Sequence, residues 1–186
     1  MKIQIPSEVT NLIANSHPFR LAIDGRCGAG KTTLALALSE EYGCEVIHLD
    51  DFFLPSGKEK KGFGNLEKDR LMAEVLLPLS KGMEIQYRRF SCVKQAYTET
   101  VTLKAGCSVI IEGSYALLSE FRFAYTHSLF LSVLPSDQEK RIRRRNGNES
   151  WEAFATRWIP DEEACIAVQK QDAAADLCLI LQNEEE

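Results

Sequence analysis

Phe19-Arg20-Leu21-Ala22-Ile23-Asp24-Gly25-Arg26-Cys27-Gly28-Ala29-Gly30-Lys31-Thr32-Thr33 is the stretch from which the rest of the chain is read. Gly25, Gly30, Lys31 and Thr32 stand at the spacing G-x-x-x-x-G-K-[ST], that of a loop that cradles phosphate. Glycines let successive backbone N–H groups turn inward around anionic oxygens with no Cβ in the way. A helix that follows such a loop points the positive end of its dipole at the same oxygens. Lys31 supplies a point charge for the β- and γ-phosphates, and the Thr32 hydroxyl supplies a ligand for Mg²⁺. Arg26, Cys27, Gly28, Ala29 and Thr33 complete the nucleotide-contacting set. The flanks are those the motif requires: an apolar strand before it, and the helical run Leu34-Ala35-Leu36-Ala37-Leu38 behind it.

Outward from the loop, apolar strands alternate with helices. A short amphipathic helix over Ser7–Asn15 leads into strand Arg20–Asp24, and the helix after the loop runs to Tyr42, with Gly43 as its stop. Val46-Ile47-His48-Leu49 reads as a buried strand ending in Asp50-Asp51, with His48 a satisfied core histidine. Leu54–Gly64 reads as a mobile surface loop, and Asn65 as the cap of a helix through Leu66, Leu71, Val75, Leu76 and Leu79. Met83–Leu103 reads as a β-hairpin standing off the main sheet. Ser108–Ile111 ending in Glu112, Ser128–Val133 and Leu177–Leu181 are further buried strands. Ser136-Asp137-Gln138-Glu139 reads as a capping box opening an arginine-rich helix, Trp151 and Trp158 as core packing, and Pro160 as the start of a further helix. The pattern predicts an α/β protein with a parallel sheet covered on both faces, whose ligands bind beyond the carboxyl ends of the strands.

The composition narrows the classes. With 186 residues the chain has the size of one domain, 1–186. Its net charge of −5 disfavours nucleic acid or an anionic membrane as the main partner. Apolar runs fall short of the roughly 20 residues of a membrane span. Six scattered cysteines without a C-x-x-C pair predict reduced thiols in a cytoplasmic protein rather than a zinc site or a disulfide framework.

Phosphoryl transfer needs positioning and charge neutralisation more than covalent work. Asp50, at a strand end facing the cleft mouth, is the candidate base or orienter for an acceptor hydroxyl. Glu112, at the end of another strand, is the candidate magnesium-associated carboxylate. Arg141, Arg144 and Arg145 share one helix face, with Arg143 nearly opposite. They are candidates for a lid, about residues 136–160, that closes arginines onto ATP phosphates.

Taken together, Gly25–Thr32, Leu49-Asp50-Asp51-Phe52-Phe53, Ile111-Glu112-Gly113 and the Arg141–Arg145 helix resemble the uridine kinase-like P-loop kinases. That superfamily also holds phosphoribulokinase- and pantothenate kinase-type enzymes. The resemblance implies a P-loop three-layer sandwich with a mostly parallel central sheet, a small β-hairpin and a helical lid. It implies ATP and Mg²⁺ as cofactors and a nucleoside such as uridine or cytidine as acceptor, with another small alcohol as the alternative. It carries the acceptor base to Asp50, the metal-associated carboxylate to Glu112, the lid to the arginine helix, and a sugar contact to Glu67 in Asn65-Leu66-Glu67. An aromatic against the nucleobase falls at Tyr87 or Phe90. A GTPase-type switch would need N-K-x-D and D-x-x-G elements, which the chain lacks. A silent ATP-binding scaffold would need neither Asp50 nor Glu112.

Overall fold

In the computed structural model, which describes residues 4–55 and 62–181, five strands form one parallel sheet. They are β1 (Arg20–Gly25), β2 (Glu45–His48), β5 (Val109–Glu112), β6 (His127–Ser132) and β7 (Leu177–Ile180), in the order β2-β5-β1-β6-β7. Strand β1 lies between β5 and β6, with Ile23 beside Glu112 and Leu129. These strands read as unbroken apolar runs because both of their faces are covered. Leu21, Ile23, Ile110, Leu129 and Leu131 pack to one side, with Val9 and Ile13 of α1 (Ser7–Ile13) and Leu34 and Leu38 of α2 (Lys31–Tyr42). Ala22, Ile47, Val109 and Ile111 pack to the other. There they meet α3 (Lys68–Leu71) and α4 (Leu77–Ser80) and the segment carrying Leu117 and Phe121. The result is the expected three-layer α/β sandwich.

Helix α2 ends at Gly43, whose φ of 62° is left-handed and whose N–H returns to the Ser39 carbonyl. The expected hairpin is present as β3 (Ile85–Ser91) and β4 (Ala96–Leu103), a two-stranded antiparallel sheet apart from the main one. It docks through the buried side chains of Ile85, Tyr87, Phe90 and Leu103.

Two helical runs contain a proline just after a widened turn. Between α3 and α4, Met72–Leu76 is π-helical and the Leu77 N–H bonds the Met72 carbonyl; Pro78 follows. Between α6 (Trp151–Ala153) and α7 (Ile159–Gln169), Phe154–Trp158 is π-helical and the Ile159 N–H bonds the Phe154 carbonyl; Pro160 follows. A proline inside a helix lacks a donor and crowds the carbonyl four residues back, and a widened turn relieves both conflicts. Pro160 therefore sits near the start of α7 as expected, but inside a continuing helical run.

Four other local expectations give way. The arginine helix α5 (Pro135–Asn146) starts two residues early, with Leu134 as its cap and no side-chain cap bond, so Ser136 does not head a capping box. Pro135, preset for the first helical turn, takes that place. Asn65 does not cap a helix either: its side-chain amide donates to the Leu54 carbonyl, and α3 begins only at Lys68. Strand-like pairing with Phe53 holds Leu66 instead. Trp151 and Trp158 are half-buried rather than core, and each lies near an arginine: Arg143 at 5.3 Å and Arg157 at 4.5 Å. His48 is half-buried rather than core. The middle of the expected surface loop, 56–61, and the glutamate tail lie outside the described residues. No helix among the described residues is long and apolar enough to cross a membrane.

Candidate active site

The carboxyl ends of β1, β2 and β5 meet at one edge of the sheet, and that edge holds the chemistry. Strand β1 ends in Gly25, whose φ is 141°; a Cβ there would collide with the Leu131 carbonyl of the neighbouring strand. Only glycine lets the chain leave the sheet at this point and turn into the loop. The loop closes on itself through the Ala29 N–H, which donates to the Arg26 carbonyl at 3.1 Å, and α2 opens at Lys31. The Lys31 ammonium folds over the loop and donates to the Gly25 and Arg26 carbonyls at 2.7 and 3.0 Å. Thr32, one residue into the helix, donates its hydroxyl to Glu112 Oε1 at 3.0 Å.

Glu112 is buried at the end of β5, directly beside His48 in the register of β2. His48 Nδ1 lies 2.6 Å from the same Oε1. His48 is thus a half-buried member of the site rather than a core histidine, because β2 stops there and the chain turns. Its hydrogen bond to Glu112 raises its pKa. Asp50 follows in a single 3-10 turn (Leu49–Phe52) that swings it into the open mouth, where it is exposed to solvent. The surrounding protein, and then the Glu112 charge, hold its carboxyl above the ordinary aspartate pKa, while Lys31 pulls it down. No donor among the described residues hydrogen-bonds the Asp50 carboxylate. Gly113, with φ 146°, makes the turn out of β5 possible, since a Cβ would approach Leu49 Cβ to 2.8 Å.

Next to Asp50, the 3-10 turn and the Asn65-Leu66-Glu67 segment lie side by side. The Leu54 N–H donates to the Asn65 carbonyl at 2.8 Å, and the Glu67 N–H to the Phe52 carbonyl at 2.7 Å. Glu67 accepts from Arg70 at 2.8 Å and from the Tyr97 hydroxyl at 2.9 Å. Asp51 accepts from the Tyr87 hydroxyl at 3.3 Å and from Arg89 at 3.2 Å. Tyr87 and Phe90 are both buried, Tyr87 against Phe52 and Phe90 edge-on against Tyr97. The aromatic ring open to solvent here is that of Tyr97, with the Arg88 guanidinium 4.2 Å above it.

The arginine helix is divided. Arg141 donates to the Gly28 carbonyl at 3.2 Å and to the Leu181 carbonyl at 2.9 Å, so it fastens the helix to the loop. Arg144 and Arg145 are exposed, and Arg143 turns away to Glu139 and Trp151. Arg26 is committed to Glu163 in a two-pronged pair at 2.6 and 3.0 Å and to Ser132 at 2.9 Å, so only its backbone faces the loop's interior. Burial pushes the Cys27 thiol to about 12, which keeps it protonated and unreactive.

Sequence reading passed over several of these groups. Asp24, buried at the end of β1, accepts from the Gly25, Tyr115 and Leu117 N–H groups and from Gln171. The signal was a lone acid inside an apolar strand. Tyr97, Gln138, Glu162 and Glu163 carried no local signal, because each reaches the site only through the packing of distant elements.

Magnesium suits the donors present. Thr32 and Glu112 bring hard oxygens within 3.0 Å of one another, and Asp50 adds a third close enough to feel the Glu112 charge. No cluster of three His, Cys, Asp or Glu ligands exists among the described residues. Mg²⁺ at phosphate sites needs none, since water and phosphate oxygens complete its shell.

No family model matches the chain. A candidate adenylate kinase of Pyrococcus furiosus is 44% identical over 55 residues, 30% of this chain and 28% of that protein. The match therefore spans little more than a quarter of the curated relative. Among solved structures, a possible uridine kinase from Bacillus stearothermophilus superposes with a TM-score of 0.72 at 19% identity, over 93% of this chain and 96% of that one. D-glycerate 3-kinase from Cryptococcus neoformans gives 0.53 at 15% identity, over 84% of each chain. Shikimate kinase from Acinetobacter baumannii gives 0.51 at 18%, over 97% and 89%. Strand order, phosphate loop, hairpin and these superpositions agree: the chain has the fold of a uridine kinase-like P-loop kinase.

Proposed function

We propose that the chain is an ATP-dependent kinase that transfers the γ-phosphoryl group to a hydroxyl of a small metabolite, a nucleoside such as uridine or cytidine being the first acceptor to test. The observation that carries this reading is the meeting of Lys31, Thr32, Glu112 and the open Asp50 at one sheet edge. Lys31 exchanges its loop carbonyls for the phosphate oxygens of ATP. Thr32 and Glu112 are the residues that would hold Mg²⁺, which when bound would supply charge neutralisation at the transferring group. Asp50 orients the acceptor hydroxyl and takes its proton; its pKa, raised by the surrounding protein, makes it a better base than a free aspartate. Arg144 and Arg145 are exposed, Arg145 donating to the adjacent Asn146, and approach the phosphates when the lid closes.

A second reading, a kinase for another small alcohol, draws on the acceptor side. Tyr87 and Phe90 offer no open ring face, whereas Tyr97 lies under a guanidinium. Two of the superposed proteins are a glycerate kinase and a shikimate kinase, both acting on carboxylate-bearing alcohols by name.

The test is ADP release from ATP and Mg²⁺ with a panel of nucleosides, pantothenate- and sugar-like alcohols, and hydroxy acids. At least one acceptor should raise ADP well above background, and Asp50→Asn should lower kcat by about 10²-fold or more. A flat panel together with an indifferent Asp50→Asn overturns the kinase reading. ATP binding without turnover points to a scaffold instead.

A further inference from the structure

The phosphate loop is gripped from outside by two helices, α5 within the expected lid region and α7 just beyond it, and both hold Cys27. From α7, Glu162 accepts the Cys27 N–H at 2.9 Å, while its other oxygen accepts the Ser114 hydroxyl at 2.6 Å. From α5, the Gln138 side-chain amide donates to the Cys27 carbonyl at 2.9 Å. Glu162 is 8% exposed and Gln138 6%, unusual burial for such side chains on helices that flank an open cleft. The neighbouring loop residues are held from the same helices: Arg26 by Glu163 and Gly28 by Arg141.

In a trans peptide the carbonyl and the next N–H point in opposite directions. By drawing the Cys27 carbonyl outward, Gln138 turns the Gly28 N–H the other way. That N–H takes no acceptor among the described residues, although the loop around it is buried or half-buried. By holding the Cys27 N–H, Glu162 fixes the peptide plane before it. The curvature that aims amides at an anion is thus set by side chains from α5 and α7, not by the glycines alone.

We propose that Glu162 and Gln138 are positioning residues for the nucleotide phosphates, coupling loop geometry to the placement of α5 and α7. The proposal rests on the reading of the loop as an ATP site. A carboxylate suits position 162 because it accepts from both the amide and the hydroxyl. A glutamine there can still accept the Cys27 N–H through its oxygen while its amide donates to Ser114, so the hydrogen bonds and not the charge do the positioning.

The experiment titrates Mg²⁺–ATP by calorimetry against wild type, Glu162→Ala, Glu162→Gln, Gln138→Met and Lys31→Ala, alongside kcat and KM. Glu162→Ala and Gln138→Met should each weaken ATP binding about tenfold and raise KM for ATP in step, with kcat moving less than about threefold. Glu162→Gln should restore most of the affinity. The proposal is overturned if both Glu162→Ala and Gln138→Met bind ATP as wild type does, or if Glu162→Gln loses as much as Glu162→Ala. Should Glu162→Ala fail to fold, Gln138→Met decides alone, by weakened binding at an unchanged Tm or by unchanged binding. Lys31→Ala separates the two levels. If it binds ATP normally, the loop is not the ATP site and the kinase reading fails; if it alone loses binding, only the positioning role fails.

Discussion

At the scale of single residues, Asp24 is held between opposing forces. Burial raises its carboxyl to about 6 from 3.8, although three backbone N–H bonds and Lys31 all favour the charged form. A carboxyl with its pKa raised on folding contributes stability that is full below the unfolded value and is lost as pH rises through the folded one. The stability lead of wild type over Asp24→Asn should therefore be largest near pH 4 and shrink by about 3 kcal/mol as pH passes 6. Urea unfolding at half-unit steps from pH 4 to 7 reads this directly, and a lead that grows with pH would contradict the assignment. Lys31 is the opposite kind of residue. Among the described residues its ammonium hydrogen-bonds loop carbonyls, so Lys31→Ala should abolish turnover with Tm changed by no more than a few degrees. A loss of folded protein would give it a structural role instead.

At the scale of elements, the region proposed to meet the acceptor is a junction of pieces tied by one side chain. Arg70 on α3 bonds Glu67, Glu74, the Arg88 carbonyl of β3 and the Asp51 carbonyl, and its guanidinium lies 4.3 Å over the Phe52 ring. Its side chain is only 10% exposed, so these bonds are shielded from water. Arg70→Met should cost about 2–4 kcal/mol, because it leaves the Glu67 carboxylate and two carbonyls short of a donor. The loss should be local first: amide hydrogen exchange should quicken in Ile85–Ser91, and KM for the acceptor should rise more than KM for ATP. Equal effects on both substrates would place the damage elsewhere. The hairpin itself was readable from alternating residues around Tyr87 and Val101. Its docking was not, since Arg70 and Arg88 lie 18 residues apart and meet only in the fold.

At the scale of the whole molecule, ligand binding and lid position should be linked. Any ligand that binds only the native state stabilises it by RT ln(1 + [L]/Kd), about 2.7 kcal/mol at a hundredfold excess over Kd. ATP with Mg²⁺ should raise Tm accordingly. Chelation by EDTA should shrink that rise and stop turnover, since Thr32 and Glu112 then have no cation to share with the phosphates. An ATP-induced rise indifferent to EDTA would remove magnesium from the site.

The chain by itself determined the parallel sheet, the phosphate loop and the sheet edge where Asp50 and Glu112 stand. Those features rest on short-range rules: apolar runs for doubly covered strands, glycine spacing for the loop, and acids at strand ends. Only the tertiary structure decided that His48 shares Glu112 with Thr32, that Tyr97 and not Tyr87 or Phe90 is open to solvent, and that Glu162 and Gln138 hold Cys27. It also replaced Ser136 and Asn65 as caps, because Pro135 and the pairing at Leu66 settled those positions first. The reason is common to all of them. Each is a contact between groups far apart along the chain, and a local pattern records what a residue prefers, not which partner the packing brings to it.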